Sequence, residues 1–159
     1  MKAAGAACGR AAWLGVALAM LFATDSFATM RITDDVGGRI GTYVEAYAAV
    51  RNSGERVVID GVCLSACTLV LGIVPRDRIC VTRRATLGFH AAWLPGPNGK
   101  PVRSTVGTQA LWDLYPQHVK RWINAQGGLS AKMVFLRGRE LAAMYPECRA
   151  VEATATSRQ

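Results

Sequence analysis

The sequence predicts an α/β domain in which helices cover a sheet. Short runs of β-branched residues alternate with segments whose apolar residues recur at helical spacing, in the order strand, helix, strand, helix, strand. The chain is long enough for one core, and its 51% hydrophobic content excludes a disordered chain.

The first 28 residues are set apart from that domain. Lys2 and Arg10 precede an apolar run from Ala11 to Ala23, and the small residues Ser26 and Ala28 follow. That order is the pattern of a secretory signal peptide, with cleavage expected after Ala28. A membrane anchor is the alternative, but the run is shorter than the about 20 apolar residues that span hydrocarbon. The expectation is a leader over 1–28 and a single domain over 29–159.

A short extended piece, Met30 to Thr33, opens the domain. After the loop Asp35-Val36-Gly37-Gly38, residues Ile40, Tyr43, Val44 and Tyr47 stand at helical spacing, which predicts an amphipathic helix ending near Asn52-Ser53-Gly54. Glu55 to Asp60 reads as a strand. The next stretch, Gly61-Val62-Cys63-Leu64-Ser65-Ala66-Cys67, leads into an apolar run to Val74, too short for a membrane and too continuous for a surface helix. A buried helix is expected there. Arg78 to Thr82 and Thr86 to His90 predict two further strands.

Leu94 to Pro101 holds three prolines and two glycines in eight residues, so a mobile surface loop is expected directly after His90, placed to cover a substrate. Thr105 to Asn124 reads as mainly helical with a break at Pro116, and Gly138 to Met144 as a final short helix. Cys148 to Val151 is expected to close the sheet as a last strand.

The formal net charge is +8; removing the leader takes away Lys2, Arg10 and Asp25 and leaves +7. The basic residues are scattered, with no block interleaved with aromatics, so no nucleic-acid partner is expected. Cys63, Cys67, Cys80 and Cys148 remain after cleavage. An even number in an exported chain points to two disulfides, with three connectivities open. Cys-x-x-x-Cys without a second close pair is a poor zinc pattern, and neither a metal nor a cofactor is expected. A thiol-exchange site at Cys63 and Cys67 is the other reading of that stretch.

A serine hydroxyl needs a base beside it and donors for the oxyanion that forms. The domain holds two histidines, His90 at a strand end and His118 in a helix, where a solvated side chain is the ordinary explanation. Ser65 falls where a strand enters a helix, so its hydroxyl could project from a tight turn beside unpaired helix N–H groups. It could equally be a helix N-cap, and Gly37-Gly38 an ordinary turn.

Taken together, Asp35-Val36-Gly37-Gly38, the helix and strand after it, Gly61 to Cys67, and the strand Leu87-Gly88-Phe89-His90 resemble the proteolytic subunit of the Clp protease, within the Clp protease and crotonase superfamily. The match is nearest to exported ClpP-like proteins with a Cys-x-Ser-Ala-Cys core and a Gly-Phe-His strand, and it runs from about Ile32 to Ala150. The resemblance implies a spiral of strand-strand-helix units, Ser65 as nucleophile, His90 as general base, and the backbone N–H groups of Gly37 and Ala66 as the oxyanion hole. It implies attack on a peptide or ester carbonyl, a homo-oligomer, and disulfides pairing Cys80 with Cys148 and Cys63 with Cys67.

Three departures stand out. The region matching the family's triad acid, Ser130 to Leu136, has no carboxylate, which leaves Asp113 and Glu140 as candidates. Asp35-Val36 replaces the family's Ser-Pro. Little chain precedes the glycine loop, so no ATP-driven unfoldase partner is expected. A non-catalytic ClpP-like binding or assembly module is the alternative to an exported serine hydrolase, because one fold serves many functions.

Overall fold

The computed structural model describes residues 28–149; the leader expected over 1–28 lies, save for Ala28, outside the described residues. Strand β1, Thr29–Asp35, leads through the glycine loop to helix α1, Ile40–Ser53, which Gly54 ends in the left-handed conformation at φ 81°. Strand β2, Arg56–Leu64, is the spine of the sheet. Along one edge it pairs in parallel with β1, Ile32 opposite Ile59 and Asp35 opposite Cys63.

The other edge of β2 is shared. Its first half pairs with β3, Ile79–Val81, and its second half with β4, Thr86–Phe89, both in parallel. Antiparallel to β4 runs β7, Val134–Arg137, with Leu87 opposite Leu136. The architecture is therefore mixed α/β with a mixed sheet.

The pairing of β1 with β2 slips between Ile32 and Asp34, and Gly61 makes the slip possible. A side chain there would run into the Thr33 carbonyl. Beside the irregularity, Asp60 is buried and takes hydrogen bonds from Arg31 at 2.7 Å, Thr82 at 2.7 Å and Arg84 at 2.6 Å. These partners, led by Arg84, hold its carboxyl at about 2, well below the ordinary carboxylate range.

After β2 the chain enters a 3-10 turn, Ser65–Leu69, and one turn of α-helix, α2, Val70–Ile73. Ala66 to Leu71 are all buried, as the continuous apolar run requires. Helices α3, Thr105–Leu114, and α4, Gln117–Ala125, are separated at Pro116 and send Leu111, Val119, Trp122 and Ile123 into the core. Phe89 meets Tyr115 edge-on at 5.4 Å and Trp122 at 5.7 Å. Helix α5 spans Gly138–Met144.

Two expectations are corrected. The segment read as a mobile loop is a hairpin: β5, Trp93–Pro95, pairs antiparallel with β6, Pro101–Arg103, around a 3-10 turn at Pro97–Gly99. Its prolines stand at the strand ends, where a missing N–H removes little from the ladder. Cys148 does not open a closing strand. Glu147 makes an isolated bridge with Val81, and the Cys148 N–H donates to the Val81 carbonyl at 3.0 Å; among the described residues the last strand is β7. Ala150 and Val151 lie outside the described residues.

Among the described residues two disulfides are present, Cys63–Cys67 with Cα atoms 5.4 Å apart and Cys80–Cys148 at 4.9 Å. They suit an oxidising compartment. No helix among the described residues is long and apolar enough to cross a membrane.

Candidate active site

Leu64 is still extended, at φ −113° and ψ 155°, and the next residue turns sharply: Ser65 sits at φ 55°, in the left-handed region. For a residue other than glycine this costs about 1–2 kcal/mol, so the surrounding structure must hold it there. Several bonds do so. Thr68 Oγ1 donates to the Ser65 carbonyl at 2.6 Å. That uses its single proton, so the 2.7 Å contact between Thr68 and Tyr115 has the tyrosine as donor. Burial pushes the Tyr115 hydroxyl up to about 12, which keeps it protonated. Tyr47 donates to the Cys67 carbonyl at 3.0 Å.

The cap reading of Ser65 does not hold. Leu64 occupies the N-cap position, with no side-chain cap bond, and among the described residues the Ser65 hydroxyl makes no hydrogen bond. The turn aims the hydroxyl outward instead of folding it back onto the helix.

The glycine loop lies directly against this turn. Gly37 is at φ 83°, and a Cβ there would meet the Leu64 carbonyl oxygen at 2.5 Å, Ser65 Cβ at 2.7 Å and the Ala66 nitrogen at 3.0 Å. Only glycine permits that approach. The Gly37 N–H donates to Asp35 Oδ1 at 2.8 Å, and Tyr43 donates to the same oxygen at 2.6 Å. Burial, then the bond to Asp35 and its charge, push the Tyr43 hydroxyl up to about 12, so it remains a donor. Gly38, the next residue, is exposed, and its N–H has no acceptor among the described residues.

His90 follows β4 and is half-buried. Its Nδ1 lies 2.7 Å from the Ala91 carbonyl oxygen. A carbonyl only accepts, so Nδ1 carries the hydrogen, and in the neutral ring Nε2 presents its lone pair. No hydrogen bond joins Ser65 to His90 among the described residues, yet both line one cleft of about 650 Å³ with Gly37, Gly38 and Arg39. The hairpin adds an apolar part of the lining through Trp93, Leu94 and Pro95, and Leu111 also lines the cleft.

The other candidates are elsewhere. Asp113 accepts from Gln109 Nε2 at 2.7 Å on an exposed face of α3, and Glu140 is exposed in the first turn of α5. His118 Nε2 meets the Tyr145 hydroxyl at 3.0 Å, and burial, Arg76 and Arg121 lower its pKa. It is part of the packing around a buried tyrosine.

Of the residues named from the sequence, Ser65, His90 and Gly37 line the cleft and Ala66 is buried next to Ser65; the Gly37 N–H, expected as an oxyanion donor, is instead bonded to Asp35, and the apolar side of the cleft was not foreseen. The apolar wall was hidden because Trp93 and Leu94 belong to a segment dominated by loop residues. Thr68 and Tyr115 are 47 positions apart, and only a sheet with helices folded over it brings them together. No protein-family model and no curated protein matches this chain.

Proposed function

We propose that this chain is an exported serine hydrolase of ClpP-like fold, with its strands and helices forming the spiral of that superfamily, acting on peptide or ester carbonyls as a homo-oligomer. One observation carries the reading: a serine held in a left-handed turn shares a cleft with a histidine and a close-packed glycine loop.

In this reading His90 Nε2 takes the Ser65 proton as Oγ attacks the carbonyl, and returns it to the leaving group. The Ala66 N–H, in the first turn after Ser65, stabilises the oxyanion. The second donor is the Gly38 N–H; Gly37, whose own N–H is taken by Asp35, contributes by lacking a Cβ. The Ala91 carbonyl fixes the tautomer of His90 as a triad carboxylate would, without its charge. The apolar wall of Trp93 and Leu94 favours substrates with an apolar group beside the scissile bond.

A fluorophosphonate probe tests the reading. It is expected to label mature protein at Ser65 and to leave Ser65→Ala unlabelled; absence of label on folded, oxidised protein overturns it. A non-catalytic binding module is the second reading, favoured by the neutral carbonyl at Nδ1 in place of a carboxylate. On that reading Ser65→Ala and His90→Ala change nothing in the protein's biological effect.

A further inference from the structure

The geometry points to the Cys63–Cys67 disulfide as the device that holds Ser65 in its reactive turn, so that the hydrolase becomes competent only when this bond is formed. The inference rests on the serine-hydrolase reading for its catalytic consequence and on the turn itself for its structural one. Cys63 and Cys67 are positioning residues here: they touch no substrate and act through the backbone of Ser65.

Cys63 is near the end of β2, and Cys67 is in the 3-10 turn beyond it. Ser65, at φ 55°, is the middle residue between them. Were the chain to continue extended, four residues would separate the two Cα atoms by about 13 Å. The bond holds them at 5.4 Å, a distance that the extended alternative cannot reach. That alternative is a real competitor. Val62, Cys63 and Leu64 are already in the strand, and continuing it would release Ser65 from an unfavourable backbone conformation. The tether removes the competitor and leaves the turn.

The remaining contacts at the turn depend on this arrangement. The Ser65 carbonyl reaches Thr68 only if the chain curls back, and the Cys67 carbonyl reaches Tyr47 only if the curl faces α1. Gly37 packs on Leu64, Ser65 and Ala66 in the same conformation. Without the bond all three contacts compete with strand continuation.

Both cysteines are fully buried, so the bond forms as the chain folds and is then shielded from thiols. Its formation takes two electrons and two protons from the two thiols. The acceptor is a disulfide of an exchange partner, which leaves as a dithiol. In a reducing compartment that acceptor is scarce, and the chain stays without its clamp and with little hydrolytic activity until it meets an oxidising one.

The test removes the other bond first. In the Cys80→Ala, Cys148→Ala chain the clamp is the remaining disulfide among the described residues, so samples refolded with and without a thiol reductant retain both sulfurs and differ in that bond. Two readouts are taken. Amide hydrogen exchange of residues 65–69 is expected to quicken in the reduced sample while β1, β2 and β4 up to Leu87 stay protected. The fluorophosphonate labelling rate, and kcat on any substrate found, are expected to fall about a hundredfold with little change in KM, the effect of misplacing a reacting group by about 1 Å.

Cys63→Ala with Cys67→Ala in the otherwise unaltered chain is the second variant, should the first not fold. Equal exchange in oxidised and reduced samples overturns the clamp. Faster exchange with unchanged labelling overturns its catalytic role and leaves the hydrolase reading standing. Oxidised protein that takes no label overturns the hydrolase reading, and with it the activity switch, while the exchange data still decide the clamp.

Discussion

His90 Nδ1 donates to the carbonyl oxygen of its own neighbour, Ala91, at 2.7 Å. The histidine is thus oriented by a backbone group one residue away, a neutral carbonyl where the proposed hydrolase would place a carboxylate. Removing His90 as His90→Ala is expected to lower labelling at Ser65 by about 10²–10⁴-fold, the usual contribution of a general base. Asp113→Asn and Glu140→Gln are expected to change it by less than about twofold, because neither carboxylate is bonded to His90 and the base contribution stays in place. Labelling rates for the three variants check this; a large loss in either carboxylate variant would show that an acid is recruited after all.

The two glycines of the loop should differ sharply. Gly37→Ala places a methyl 2.5 Å from the Leu64 carbonyl oxygen at a backbone angle that only glycine adopts readily. We expect a loss of about 1–3 kcal/mol in stability and of nearly all labelling. Gly38→Ala meets its nearest neighbour, Tyr43, at an ordinary 3.4 Å and is expected to fold as stably as the parent. Urea unfolding and labelling, measured side by side, separate the two.

Thr68 should matter more than the tyrosine it contacts. Thr68→Val leaves the Ser65 carbonyl and the buried Tyr115 hydroxyl without their partner, and a cost of about 1–3 kcal/mol is expected. Tyr115→Phe leaves the bond from Thr68 to Ser65 intact and should cost less and retain labelling. The expected order of kcat is parent, Tyr115→Phe, then Thr68→Val.

Asp60 gives the fold a defined acid limit. Its folded pKa is depressed to about 2 from an ordinary 3.8, so its contribution is fully present above about pH 4 and is lost as the pH falls through about 2. The shift corresponds to about 2 kcal/mol. Asp60→Asn is expected to lose about that much at pH 7 and to flatten the part of the stability curve between pH 4 and 2. Denaturation midpoints across that range check both.

Several elements were legible along the chain because their signals are local. Helix α1 shows its apolar face at Ile40, Tyr43, Val44 and Tyr47 and its stop at Gly54; α5 and the break at Pro116 are equally plain. Strand β7 was not, since Val134–Arg137 is four residues long and becomes a strand by pairing with β4. The hairpin of Trp93 to Arg103 was hidden for a related reason. Its prolines and glycines describe a loop, and its pairing is set by contacts between residues on opposite sides of the turn.

At the site the division is sharper. By itself the sequence determined which groups were available: a serine between two cysteines, two histidines, and a pair of glycines before a helix. Tertiary structure decided their use. It set the backbone of Ser65 left-handed, turned the Gly37 N–H to Asp35 and left that of Gly38 open, and gave His90 a carbonyl for its Nδ1. Residue types are chosen by chemistry and can be read one at a time, whereas the direction of an N–H follows from backbone angles and that of a ring nitrogen from side-chain torsions. Those angles are held by the packing of β1, α1, β2 and β4 against one another and, at Ser65, by the bonds around its turn.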